Sequence, residues 1–170
     1  MTAATDVGFV EMGILKVVEV QPTEGEIFDY VVLAEVSGDR QLCIQVGGSE
    51  AMYLAANLDG MEWGRPMTYQ FAAALVRALG GRLRQVRIDR LVETAYGAAV
   101  EVEGPLGIEA VDARPSDALN LVALAAAPVL VALGVLEDCE ARRAADSEEA
   151  VLLRRALAAA PMTLITMGMT

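Results

Sequence analysis

The chain has 170 residues, 55% apolar and 5% aromatic, so one domain can bury a core of Val, Leu, Ala and Ile without staples. It has no histidine, which removes the commonest general base near neutral pH and the commonest transition-metal ligand. Its formal net charge of −11 excludes overall attraction of a polyanion and leaves only local patches for such a partner.

Residues 9–20 are rich in β-branched and large apolar side chains and predict a strand. Pro22 and Gly25 place a turn over 21–26, a second strand covers 28–36, and Ser37-Gly38-Asp39 turns the chain into a third at 41–46. Gly47-Gly48 breaks that strand, and Ser49 is expected to cap a helix running to residue 58. Apolar residues at 67, 71, 75 and 79 form one helical stripe, expected to face the core. Pro66 suits the first turn of that helix and Gly80-Gly81 its end, while Arg77 lies off the stripe.

Strands follow at 83–92, 96–103 and 106–111, with Ala98, Val100 and Val102 on one face of the middle one and Glu101 and Glu103 on the other. Residues 113–126 open with Ala-Arg-Pro-Ser and continue as a strongly apolar helix. A short buried strand at 128–132 and helices at 133–141 and 148–159 complete the order, before an uncharged, Met-rich tail from 162 to 170. The fold class is therefore α+β, with mixed or antiparallel sheets and packed helices. Both halves read strand, strand, strand, helix, and Ser49-Glu50-Ala51 recurs as Ser116-Asp117-Ala118 at an offset of 67 residues, which suggests a duplicated βββα unit. Residues 1–145 read as the domain and 146–170 as a C-terminal helix and tail packed on it or extending from it.

Charge is uneven along the chain. Lys16 and Arg40 stand against eleven acids over residues 1–64. Residues 65–90 carry Arg65, Arg77, Arg82, Arg84, Arg87 and Arg90 against Asp89 alone, and residues 91–170 carry five arginines against twelve acids. The 65–90 segment is the one candidate patch for nucleic acid; the plainer reading is that these arginines pair with neighbouring acids or solubilise a helix and a strand. Cys43 and Cys139 sit in apolar stretches and read as buried thiols of a reducing compartment. Residues 1–10 lack a basic start and an apolar run, so a cytoplasmic protein without a secretory signal is expected. Asn120, Pro128 and Gly134 break the apolar run around 118–136, which argues against a membrane span.

The segment from Glu109 to Leu124, with Val111-Asp112-Ala113-Arg114-Pro115-Ser116-Asp117-Ala118 at its centre, resembles the signature of the bifunctional nuclease domain family. Arg65-Pro66-Met67-Thr68 before a helix and the strand 41–46 followed by Gly47-Gly48-Ser49-Glu50-Ala51 are further family-like elements in the same order. The resemblance covers roughly residues 9–141. It implies an α+β fold, a homodimer and nuclease activity on DNA and RNA.

The residues themselves allow two uses of the motif. Structurally, Pro115 presets a first helical turn, Ser116 or Asp117 satisfies its free N–H groups, and Arg114 pairs with an acid on either side. Functionally, Asp112, Asp117 and Glu50 are hard oxygen donors for Mg²⁺ or Mn²⁺, which would activate water against a phosphodiester. On that reading Asp112, Asp117 and Arg114 are the catalytic candidates, and Arg65, Thr68 and Ser116 the substrate-binding ones. Tyr53, Tyr69 and Trp63 could stack on bases, although aromatics near helices more often belong to a core or an interface. The alternative function is a non-catalytic, dimeric interaction or regulatory protein with an acidic surface; a third is an anion binder using Arg65 and Arg114.

Overall fold

The computed structural model describes residues 8–21 and 25–162. Part of the expected turn at 21–26 and all but the start of the Met-rich tail lie outside the described residues. The elements are β1 (Phe9–Val20), β2 (Phe28–Glu35), β3 (Gln41–Val46), α1 (Gly48–Leu58), α2 (Thr68–Ala78), β4 (Arg82–Val92), β5 (Ala95–Gly104), β6 (Gly107–Ala113), α3 (Pro115–Ala125), β7 (Val129–Ala132), α4 (Leu133–Ala144) and α5 (Glu148–Ala158). The fold is α+β, as the order of strand and helix signals predicts.

All seven strands join one mixed sheet in the order β3-β2-β1-β7-β4-β5-β6. Two meanders, β1-β2-β3 and β4-β5-β6, flank β7 with their first strands innermost. β7 runs antiparallel to β1 and parallel to β4. Each meander ends in a helix, α1 or α3, so the strand-strand-strand-helix reading of both halves corresponds to a sheet symmetric about β7. Four residues suffice for the central strand because Val129, Val131 and Ala132 are buried.

Alternation along the strands separates two apolar clusters. Val17, Val31, Leu33, Leu42 and Ile44 join Ala51 and Leu54 of α1, Leu119 and Val122 of α3 and Val135 of α4. Their chain neighbours Val18, Val32 and Cys43, with Val20 and Tyr30, form a second cluster closed by Leu153 and Ala156 of α5. β2 is therefore buried on both faces, which accounts for its near-continuous apolar run. Lys16 fixes the end of α5 by donating to the Leu157 and Ala159 carbonyls. Cys43 and Cys139 are free and buried, and burial pushes the Cys43 thiol up to about 12, so it is inert as a nucleophile.

Three local expectations are corrected. Ser49 does not cap α1: Gly47 holds the cap position and Ser49 is the second helical residue. Pro66 lies before α2, whose cap is Met67, held by the Gln70 side chain accepting from its backbone N–H. The α2 stripe faces solvent: Phe71, Leu75 and Leu79 are 62%, 49% and 73% exposed, and Ala73 is the residue that α2 buries. The small alanine face suits close packing on α3 and β4, so the larger side chains point away. Gly80 ends α2 with φ of 78°, where a side chain would be strained.

Candidate functional site

The first turns of α1 and α3 meet around one arginine. Arg114 is the N-cap residue of α3, and Asp117 is the third residue of that helix. Glu50 is the third residue of α1. The same offset of 67 residues that relates Ser49 to Ser116 relates Glu50 to Asp117. Arg114 Nε donates to Asp117 Oδ2 at 2.7 Å, and Nη2 donates to Asp117 Oδ1 at 3.0 Å and to Glu50 Oε1 at 2.9 Å. The counterpart of Arg114 in the first half is Gly47, where an added side chain would collide with the Glu50 carboxylate. The first half thus contributes an acid whose carboxylate fills the space beside a glycine, and the second half an acid and the cation.

Two residues outside the local motif complete the cluster. Tyr69 of α2 donates its hydroxyl to Asp117 Oδ1 at 2.8 Å. Asn120, fully buried one turn into α3, donates Nδ2 to the carbonyls of Glu50 at 3.1 Å and Ser116 at 3.0 Å, tying the two helix starts together. From the sequence Tyr69 is only a stacking candidate and Asn120 only a polar interruption of an apolar run. An amide in an otherwise apolar helix was the available signal for Asn120; the long-range bond of Tyr69 had none. Tyr53 packs against Trp63 and Tyr69 at ring-centroid distances of 5.6 and 6.0 Å, so these aromatics support one another beside the cluster.

The electrostatics fix the protonation states. The Arg114 guanidinium holds the Asp117 carboxyl below its ordinary range, partial burial opposes this, and the Tyr69 hydroxyl adds to the lowering. Burial, then the bond to Asp117, pushes the Tyr69 phenol well up, so it remains a donor. A lowered folded value means that Asp117 contributes stability above the ordinary carboxylate pKa, near about 4, and loses it as pH falls through the folded value. The urea midpoint of the wild type should therefore exceed that of Asp117→Asn at about pH 6, and the gap should narrow by about pH 3. A constant gap would contradict this account.

The other predicted site residues go elsewhere. Asp112 is corrected as a member of the cluster: its side chain is 82% exposed and paired with Arg90 at 2.6 Å. Arg90 crosses over Gly97 of β5 to reach it, at a position where a side chain would block the path. Arg65 and Thr68 are exposed at the entry to α2, and Ser116 is buried, its carbonyl taken by Asn120. The proposed carboxylate trio of Asp112, Asp117 and Glu50 therefore does not converge. Among the described residues, no three His, Cys, Asp or Glu side chains are grouped to hold a metal. Asp117 has both oxygens, and Glu50 one, on Arg114, so the donor set does not fit a preformed Mg²⁺ or Mn²⁺ site.

The basic segment is largely neutralised. Arg82 and Arg84 pair with Glu103, Arg87 with Glu101, and Arg90 with Asp89 and Asp112. Arg114 is paired too, with Glu50 and Asp117, but its side chain lines a cleft of about 820 Å³ with Gly47, Ser116 and Tyr96. Its Nη1 carries no hydrogen bond among the described residues, and neither does Glu50 Oε2.

A mixed-sheet α+β domain with an arginine clamped between acids at two helix starts is the class that fold and site define. The family model of the bifunctional nuclease domain matches residues 31–143, and the chain belongs to that family. Two proteins of Mycobacterium tuberculosis, named Uncharacterized protein MT1877 and Uncharacterized protein Rv1829, are each 33% identical to it over 125 residues, 74% of either length. Glu50, Tyr69, Arg114, Asp117 and Asn120 all fall inside the family match. Among the described residues no helix is long and apolar enough to cross a membrane.

Proposed function

We propose that this protein hydrolyses phosphodiesters of DNA and RNA, with Arg114 as the phosphate-binding cation and Glu50 as the base. The observation that carries this reading is the arginine clamped on Nε and Nη2 with Nη1 left open at the rim of a cleft. Glu50 and Asp117 fix the guanidinium plane, so a phosphate oxygen can bind Nη1 without first ordering the side chain. Glu50 Oε2 occupies the space that a side chain at Gly47 would take, and with no hydrogen bond among the described residues it can accept from a water. A water there attacks phosphorus and passes its proton to Glu50, while the departing sugar oxygen takes one from solvent. Asp117 and Tyr69 act as positioning residues for Arg114.

Purified protein should cut single-stranded DNA and RNA, assayed with and without Mg²⁺ or Mn²⁺, and Arg114→Ala should lose about 10²–10³-fold in rate. Cleavage that survives Arg114→Ala, or that separates from the protein on a second column, would sink the reading.

A second reading, a non-catalytic dimeric protein with an acidic surface, draws on the apolar ridge of α2. Phe71, Leu75 and Leu79 point to solvent, and Gly80 brings the end of α2 beside Pro105, next to exposed Leu106 and Ile108. We assign this ridge to a second copy of the chain, since a large exposed apolar patch marks an interface. Light scattering should give twice the chain mass for the wild type and the single mass for Leu75→Glu/Leu79→Glu. A monomeric wild type removes the assignment.

A further inference from the structure

The cleft beside Arg114 has a second wall that the proposed reaction does not use. It is made by the start of α5, which lies beyond the matched family segment and places Glu148, Glu149 and Leu152 on the cleft. Ser147 caps this helix by accepting from the Ala150 backbone N–H, so the first turn is locally fixed. Arg142 also lines the cleft, but both of its Nη groups are engaged: Nη1 donates to Glu149 at 3.0 Å and Nη2 to the Glu93 carbonyl. That clasp joins α4, α5 and the β4–β5 turn. Glu148 makes no ion pair among the described residues and is exposed. The cleft thus offers one free donor, Arg114 Nη1, on a guanidinium already paired with Glu50 and Asp117, and one carboxylate without an ion pair among the described residues, Glu148, on the α5 wall.

We propose that α5 is the specificity wall of this cleft: it admits a lone phosphate group at Arg114, carried on a sugar or apolar body, and rejects a ligand that brings further phosphates toward Glu148. This rests on the reading of Arg114 as the phosphate-binding cation. A polyphosphate seated at Arg114 would bring its next charge toward a carboxylate, and water between them screens that repulsion only in part. A nucleic-acid strand held at Arg114 must then leave the cleft away from α5, with its neighbouring phosphates on the open side. The apolar lining from Ile44, Val46, Pro115 and Leu152 suits the uncharged body of a nucleoside better than a second anion.

The test is calorimetric titration of the full chain, free of metal and at constant ionic strength, with adenosine monophosphate and adenosine triphosphate. The wild type should bind the monophosphate at least about fivefold more tightly. Glu148→Lys should shrink that preference by about three- to tenfold, Glu148→Gln should fall between, and the monophosphate affinity should change little. Glu148 is exposed, so circular dichroism should show both variants folded. A wild type that prefers the triphosphate, or a ratio unmoved by Glu148→Lys, overturns the wall and leaves the Arg114 reading standing if Arg114→Ala abolishes binding of both nucleotides. Binding of neither nucleotide to the wild type overturns both.

Discussion

Exchange of Glu50 for glutamine should lower phosphodiester cleavage by about 10²–10⁴-fold, the range expected when a positioned base is removed. The substitution is nearly isosteric. Its amide oxygen can still accept from Arg114 Nη2, as Glu50 Oε1 does at 2.9 Å, so the guanidinium should stay in place. The atom over Gly47 becomes an NH₂ group, which cannot take a proton from water. The Glu50 backbone carbonyl still receives Asn120, so the joint between α1 and α3 is untouched. The expected signature is a fall in turnover with little change in substrate affinity or melting temperature. An equal loss of affinity would instead make Glu50 a positioning residue for Arg114. Full turnover in Glu50→Gln would remove it from the reaction.

Leu119→Ala should lower stability by about 2–5 kcal/mol, the usual cost of truncating a buried leucine and leaving a cavity. Leu119 is fully buried next to Asn120, on the helix that carries Arg114 and Asp117. It packs in the cluster that joins α1, α3 and α4 to the sheet, with Ala51, Leu54, Val86 and Val131 among its members. Small alanines at 51, 55 and 118 bring the helices close, leaving little slack to refill the gap. Urea unfolding measures the loss directly, and the thermal midpoint should fall by roughly 2–4 °C per kcal/mol. A loss below about 1 kcal/mol would mean that the helix layer repacks freely, which this packing does not allow.

Much of the architecture is legible because strand and helix periods are strong here. β1 and β3 fall where β-branched residues and turn breakers place them, and β4 to within one residue at its start. β7 is readable as a short buried strand, but its central place in the sheet is a matter of long-range pairing that no local pattern encodes. The α2 stripe misleads for a physical reason: periodicity identifies an apolar face without saying what covers it. Phe71, Leu75 and Leu79 form a regular stripe that no element of the described chain covers.

The site divides in the same way. Arg114, Asp117 and Glu50 are legible from one motif and its offset copy, because equivalent positions at two helix starts point to the same place. Asp112 is adjacent in sequence yet lost to the site, since Arg90 reaches it across β5. Tyr69 and Asn120 enter through bonds spanning 48 and 70 residues, beyond any local reading.

The most direct measurement is the affinity of a single-stranded oligonucleotide for wild type and Arg114→Ala across a range of salt concentrations. Affinity for the wild type should fall as salt rises, and the variant should bind more weakly with a salt slope smaller by about one phosphate contact. Wild-type affinity indifferent to salt, or the same slope in both proteins, would contradict the assignment of Arg114 as the residue that receives the phosphate.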